Sequence, residues 1–277
     1  MKALFILIII LLDALSLYAK PIIFAPLPQA NTQRVFEDFN PMILYLEKTL
    51  NEHIELRYEK RYDDIIEQFK ANKIDIAYFG PLPFVALYKQ FPSAQPIITF
   101  HENDGQNGYR CALVKFAKDT VNFQDNPRPK IALTQPLSTC GYTKTKMLLK
   151  EYYNQDLSKM LYRYMGKHDE VALSVIRGEF LLGGMKESIA HEYQSLGLQI
   201  ITTSPLLPGF SLVVNTQTLS SEQIESIKKA LLSAPKEVYE TWGKELSHGM
   251  SEPDLELFQS LSVEILEFEI PSVGNVK

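Results

Sequence analysis

Ser138 and Thr139 place two hydroxyls where an apolar run, Lys130 to Thr134, gives way to a helix-patterned run, Thr143 to Tyr153. A Ser-Thr pair at such a junction reads as a helix N-cap with hydroxyls to spare. The first amides of a helix lack intrahelical partners and carry partial positive charge. The stretch Pro136-Leu137-Ser138-Thr139-Cys140-Gly141-Tyr142 is therefore a candidate cradle for a small oxyanion. Gly141 lets a ligand come close to the backbone. A lone Ser-Thr-x-Gly is more often an ordinary cap, so the reading depends on its companions. His168 follows the apolar run Leu161 to Met165 and precedes a helix. It can donate to an oxyanion and, as an imidazolium, add charge. Tyr62 stands before a helix start at Asp63 and by itself reads as a half-buried surface tyrosine; Tyr109 opens a strand after Gly108 and reads equally as a core aromatic. A phenol donates a hydrogen bond without bringing a charge.

Ser138 and His168 could be imagined as nucleophile and base. No G-x-S-x-G elbow, H-E-x-x-H pair or phosphate-binding P-loop accompanies them. The chain is expected not to be an enzyme, and no cofactor or metal is expected. Cys111 and Cys140 are the two cysteines, too few for a metal set or a disulfide framework. They could pair in an oxidising compartment or be two buried apolar thiols. The formal net charge is −5 over 277 residues. That argues against nucleic-acid binding, which wants a basic face. Anion binding would have to come from local dipoles and hydroxyls.

The elements that must hold these side chains alternate. Pro21 to Ala25, Ile54 to Tyr58, Ile74 to Phe79 and Pro96 to Phe100 read as strands. Leu27 to Phe36 reads as loop, with Asn40 and Pro41 as N-cap and first residue of a helix carrying Ile43, Leu46 and Leu50. Asp63 to Ala71 reads as a second helix. From Lys130 the alternation restarts, and Ser220-x-x-Gln223 is a capping box. Strand–helix alternation predicts an α/β fold with a largely parallel sheet. Two such runs predict two lobes, with the chain crossing near Tyr109–Phe116 and again near Pro208–Asn215. Ligands of open α/β sheets bind beyond the carboxyl ends of strands. Residues 1–19 read as a secretory signal: Lys2, an apolar core from Ala3 to Leu12, and a cleavage region at Ser16-Leu17-Tyr18-Ala19. The apolar run is shorter than the ~20 residues of a membrane span.

Five stretches occur in a telling order: Asp75-Ile76-Ala77-Tyr78-Phe79-Gly80-Pro81, Gly108-Tyr109, Ser138-Thr139-Cys140-Gly141-Tyr142, His168-Asp169, and Ser204-Pro205-Leu206-Leu207-Pro208-Gly209. In this order they resemble the periplasmic phosphonate-binding proteins of bacterial ABC importers, over about Pro21 to Leu232. The resemblance implies a two-lobed periplasmic binding protein of type II, each lobe a mostly parallel sheet flanked by helices, with two hinge crossings. Residues 20–112 and 211–277 would form lobe 1, and residues 113–210 lobe 2. It implies an extracytoplasmic solute-binding protein that captures a phosphonate, phosphite or phosphate-like oxyanion. The implied partners are ABC permease subunits in the inner membrane. The alternative is the ligand-binding input of a two-component sensor kinase for a small oxyanion, arsenite included, with Cys140 as a thiol at the cradle. Carried over position by position, the head-group donors fall on Tyr62, Tyr109, Ser138, Thr139 and His168. The two acids with which the family binds a ligand amine fall on Ser188 and Phe210, with Glu187 adjacent. Ligands without an amine are therefore expected to bind better.

Overall fold

A computed structural model describes residues 20–28, 32–265 and 269–276. The candidate signal, residues 1–19, lies outside the described residues. The chain opens with β1 (Ile22–Pro26), α1 (Thr32–Leu50), β2 (Ile54–Leu56), α2 (Tyr62–Lys70), β3 (Ile76–Phe79), α3 (Pro81–Gln90) and β4 (Ala94–Phe100). It crosses through β5 (Gly108–Tyr109) and β6 (Cys111–Phe116). It then forms β7 (Lys130–Leu133), α4 (Tyr142–Tyr153), β8 (Leu161–Tyr164), α5 (His168–Ile176), β9 (Leu182–Lys186), α6 (Glu187–Glu192) and β10 (Leu198–Thr203). It returns through β11 (Leu207–Pro208) and β12 (Ser211–Asn215). The end is built from α7 (Ser221–Leu232), α8 (Lys236–Tyr239), β13 (Met250–Ser251) and α9 (Leu255–Ile265).

Two sheets result, in the orders β13-β4-β12-β3-β1-β2 and β10-β6-β9-β7-β8. A two-stranded ladder, β11 with β5, joins the two crossings. The strand–helix–strand units give the parallel pairs β1 with β2 and β3, and β7 with β8 and β9. The expectation of mostly parallel sheets needs correcting, because both sheets are mixed. β12 arrives from the other lobe without a crossover helix and runs antiparallel between β3 and β4. β6 does the same between β9 and β10.

Alternation sorts the second sheet's side chains onto two faces. Ala112, Val114 and Ala132 pack with Val171 and Met185 under α5. Leu113, Ile131 and Leu133 pack with Tyr142, Leu149 and Leu182 under α4. Gly184 on β9 lets α4 settle close: a Cβ there would overlap Thr145 Oγ1 and lie 2.9 Å from the Cys140 carbonyl. The first sheet has one larger core that runs from Ile22 to Leu261.

α1 starts earlier than the sequence suggests, at Thr32, and carries Pro41 inside it. Its buried residues Val35, Phe39, Met42, Ile43 and Leu46 keep helical spacing across the proline. Packing of that stripe outweighs the amide that Pro41 lacks. The capping box at Ser220 and Gln223 forms as read. The last described residues depart from the expected lobe assignment. Residues 271–276 reach the edge strand β8 of the second sheet. Tyr162 N–H donates to Asn275 Oδ1 at 2.7 Å, Asn275 Nδ2 donates to the Met160 carbonyl at 2.8 Å, and Tyr164 Oη donates to the Pro271 carbonyl at 2.8 Å.

Candidate functional site

Four helices begin at one cleft between the two sheets. Tyr62 is the first residue of α2, Gly80 caps α3, Gly141 caps α4, and His168 is the first residue of α5. Each helix follows the carboxyl end of a strand or the loop beyond it. This is where a doubly wound sheet offers binding loops. Four positive dipole ends therefore face one space. Tyr62, Tyr109, Ser138, Thr139 and His168 all line it, together with Gly80, Pro83, Cys140, Lys186 and Phe210. About 270 Å3 between them is free of protein atoms, open solvent included. A more open groove of about 1110 Å3 runs between α1 and α7, lined by Thr49, Glu52, Glu222 and Lys229. It lacks the convergent helix starts, so chemistry rather than size selects the smaller space.

The cradle differs from the expected N-cap. The cap of α4 is Gly141, without a side-chain capping bond. Ser138 and Thr139 lie in the turn before it, closed by Ser138 N–H to the Gln135 carbonyl at 3.1 Å and Gly141 N–H to the Ser138 carbonyl at 2.9 Å. Their hydroxyls are thus not spent on capping α4. Among the described residues, the backbone amides of Thr139 and Cys140 have no internal hydrogen-bond partner. Thr139 Oγ1 accepts from Leu82 N–H of α3 at 3.1 Å, a bond across the cleft. Burial pushes the phenols of Tyr62 and Tyr109 up, and a hydrogen bond with Thr139 partly opposes this at Tyr109. Both phenols are hydrogen-bond donors at neutral pH.

His168 is a neutral donor, not the imidazolium the sequence allowed. Its Nδ1 lies 3.1 Å from the Lys186 backbone N–H, which can only donate. The ring proton must then sit on Nε2. Burial, reinforced by the Lys186 charge and opposed by Glu245, lowers the pKa of His168 to about 4.

Lys186, at the end of β9, escaped the sequence reading. Its side chain is 5% exposed, and Nζ lies 2.8 Å from Glu102 Oε1 and 3.0 Å from Glu245 Oε2. It also stands 5.4 Å from the ring centroids of both Tyr109 and Phe210. Burial works against its charge, but the two carboxylates more than offset this and raise its pKa. Glu245 is held low chiefly by Lys186, while burial pushes Glu102 up against the same attraction. The available signal was position: a lysine closing the strand-like Leu182-Gly183-Gly184-Met185, where strand ends supply sites.

Phe210 stands in the cleft, stacked between Tyr78 at 5.3 Å and Tyr109 at 5.5 Å. Ser188 and Glu187 do not; they line a neighbouring surface pocket with Arg110 and His191. Cys111 and Cys140 form a disulfide with Cα atoms 5.1 Å apart. It ties the cradle to the start of β6. No free cysteine remains for the thiol-based arsenite reading.

Two mixed α/β lobes, joined by paired crossings and meeting at a cleft ringed by helix starts, define a two-lobed binding-protein fold. The chain belongs to the family described as the periplasmic substrate-binding protein of phosphonate ABC transporters, whose sequence profile matches residues 24–258. A phosphate-import protein, PhnD, of Mycolicibacterium smegmatis is 25% identical over 172 residues, 58% of this chain and 54% of that protein. The match thus spans about half the length of that curated relative. The fold is shared with PhnD1 of Prochlorococcus marinus, solved in complex with methylphosphonate: TM-score 0.74, 14% identity, 90% of this chain and 98% of that one. A binding-protein component of a phosphonate ABC transporter from Pseudomonas aeruginosa gives a TM-score of 0.68 at 17% identity, over 88% and 87% of the two chains. No helix among the described residues is long and apolar enough to cross a membrane.

Proposed function

We propose that the protein captures a small tetrahedral oxyanion, of the phosphonate, phosphite or phosphate class, and delivers it to the permease of an ABC importer. The observation that carries this reading is the convergence of four helix starts on neutral donors. Tyr62, Tyr109, Ser138 and Thr139 supply hydroxyls, and His168 supplies Nε2–H. An oxyanion would also meet the amides of Thr139 and Cys140, and could take Leu82 N–H from Thr139. Preorganised dipoles suit a protein of negative net charge, since they attract an anion without a local excess of lysine. Membership of a transporter-associated binding-protein family supports this reading over that of a sensor input. A cleaved leader at residues 1–19 and a periplasmic location complete the proposal. Solute-binding families hand their ligand on unchanged, so Ser138 and His168 bind rather than react.

Thermal unfolding with methylphosphonate, phosphite and phosphate tests this. A ligand at ~100 times its Kd adds ~2.7 kcal/mol to stability, so at least one should raise Tm clearly. Ser138→Ala should lose ~10-fold or more in affinity, since a hydrogen bond to a charged group is worth ~1.5–3 kcal/mol. Flat melting curves for all three oxyanions would sink the reading.

A further inference from the structure

Lys186, Glu102 and Glu245 form a cluster that the oxyanion cradle does not need. Glu102 comes from the loop after β4 and is 14% exposed, and Glu245, from the segment between α8 and β13, is half-buried at 33%. Together with the faces of Tyr109 and Phe210 they make a cation site: two carboxylates and two rings around one ammonium. The ammonium in it is the chain's own. Lys186 lines the same space as Ser138, Thr139 and His168. Its backbone N–H also holds His168 at 3.1 Å. The internal cation and the oxyanion donors therefore line one small cleft.

We propose that Lys186 is a specificity-determining residue: its ammonium fills the cation position of the cleft, so that oxyanions carrying an amine are rejected and those with a short uncharged tail are accepted. The inference rests on the oxyanion reading above. A ligand amine would have to displace Lys186 from both carboxylates and both rings. That would leave a buried ammonium unpaired, which is strongly unfavourable. A methyl or hydrogen tail asks for no such exchange. Lys186 competes as a tethered group, always present at the site, whereas a free amine must reach it from solution.

Titration calorimetry with methylphosphonate and 2-aminoethylphosphonate tests the assignment. The wild-type protein should bind methylphosphonate at least tenfold more tightly. Lys186→Met should shift the ratio of the two affinities toward the amine by tenfold or more. Removing the lysine leaves two buried acids without a cation, so Lys186→Met with Glu102→Gln is the companion variant; it keeps Glu245 as the single partner for a ligand amine. Equal or tighter binding of 2-aminoethylphosphonate by wild type overturns the proposal without needing any variant. So does an unchanged ratio in a folded variant. Failure of wild type to bind either ligand overturns the oxyanion reading, and this inference with it. Normal methylphosphonate binding with no discrimination against the amine overturns this inference alone.

Discussion

His168 shows what burial does to a titratable donor. Its pKa is about 4 in the folded chain against about 6.5 when exposed. Between those values the unfolded chain binds the extra proton, so stability rises with pH across that window. The contribution is undiminished above about pH 6.5 and is progressively lost as pH falls to about 4. The full difference is on the order of 3 kcal/mol. Denaturant midpoints measured from pH 4.5 to 7.5 should fall toward acid, and His168→Gln should flatten that slope. Lowered carboxylates such as Glu47 and Asp156 act at more acid pH, below the ordinary carboxylate range. An unchanged slope in the variant would remove His168 from the account. Four of the five candidate donors stand beside a helix start with a local signature, Asp63 after Tyr62, Ser-Thr before α4 and Asp169 after His168, while Tyr109 lies in a strand; the family resemblance is what singled out the set. Lys186 was not legible in the sequence, because its partners lie far away along the chain, at Glu102 and Glu245. No local pattern reports a charge that distant residues neutralise.

At the scale of elements, the Cys111–Cys140 bridge fastens the cradle to the strand that carries the first crossing. Closing a loop of sequence separation 29 is worth ~3–4 kcal/mol in a chain-entropy estimate. Replacing both cysteines by serine should lower stability by about that amount in urea titrations. Methylphosphonate affinity should change little, because no ligand donor is removed. Loss of binding with stability intact would instead assign the sulfurs a direct role. The sequence left this pair undecided, since two cysteines give no spacing rule and only the fold brings their Cα atoms together. Strand direction was hidden for a related reason. The residues of β6 and β12 read as buried strands, but their antiparallel insertion follows from where the crossing chain enters. The early start of α1 was hidden by polar Gln33 and Arg34, which face outward while Val35 and Phe39 carry the stripe.

At the scale of the whole molecule, several bonds tie one lobe to the other across the cleft: Leu82 to Thr139 at 3.1 Å, Lys186 to Glu102 at 2.8 Å and to Glu245 at 3.0 Å, and Lys244 to Glu192. These join α3, the loop after β4 and the segment before β13 to the second sheet, and they describe a closed cleft. A ligand must enter by opening it, through bending at the β5–β11 ladder. Ligand-free protein in solution should therefore populate a more open form, and saturating methylphosphonate should lower the radius of gyration measured by small-angle scattering. Identical curves matching the closed form in both states would argue for entry without lobe motion.

The contacts of residues 271–276 have a consequence of another kind. β8 is the last strand of its sheet. A bare outer strand offers a row of unpaired amides and carbonyls to any second chain that meets it, the usual seed of sheet-to-sheet aggregation. Asn275 and Val276 occupy the Met160 carbonyl and the Tyr162 amide and carbonyl along that border, and the Tyr164 hydroxyl donates to the Pro271 carbonyl beside it. The tail thus acts as a selvedge on the sheet, a finished border that keeps neighbouring molecules from adding to it.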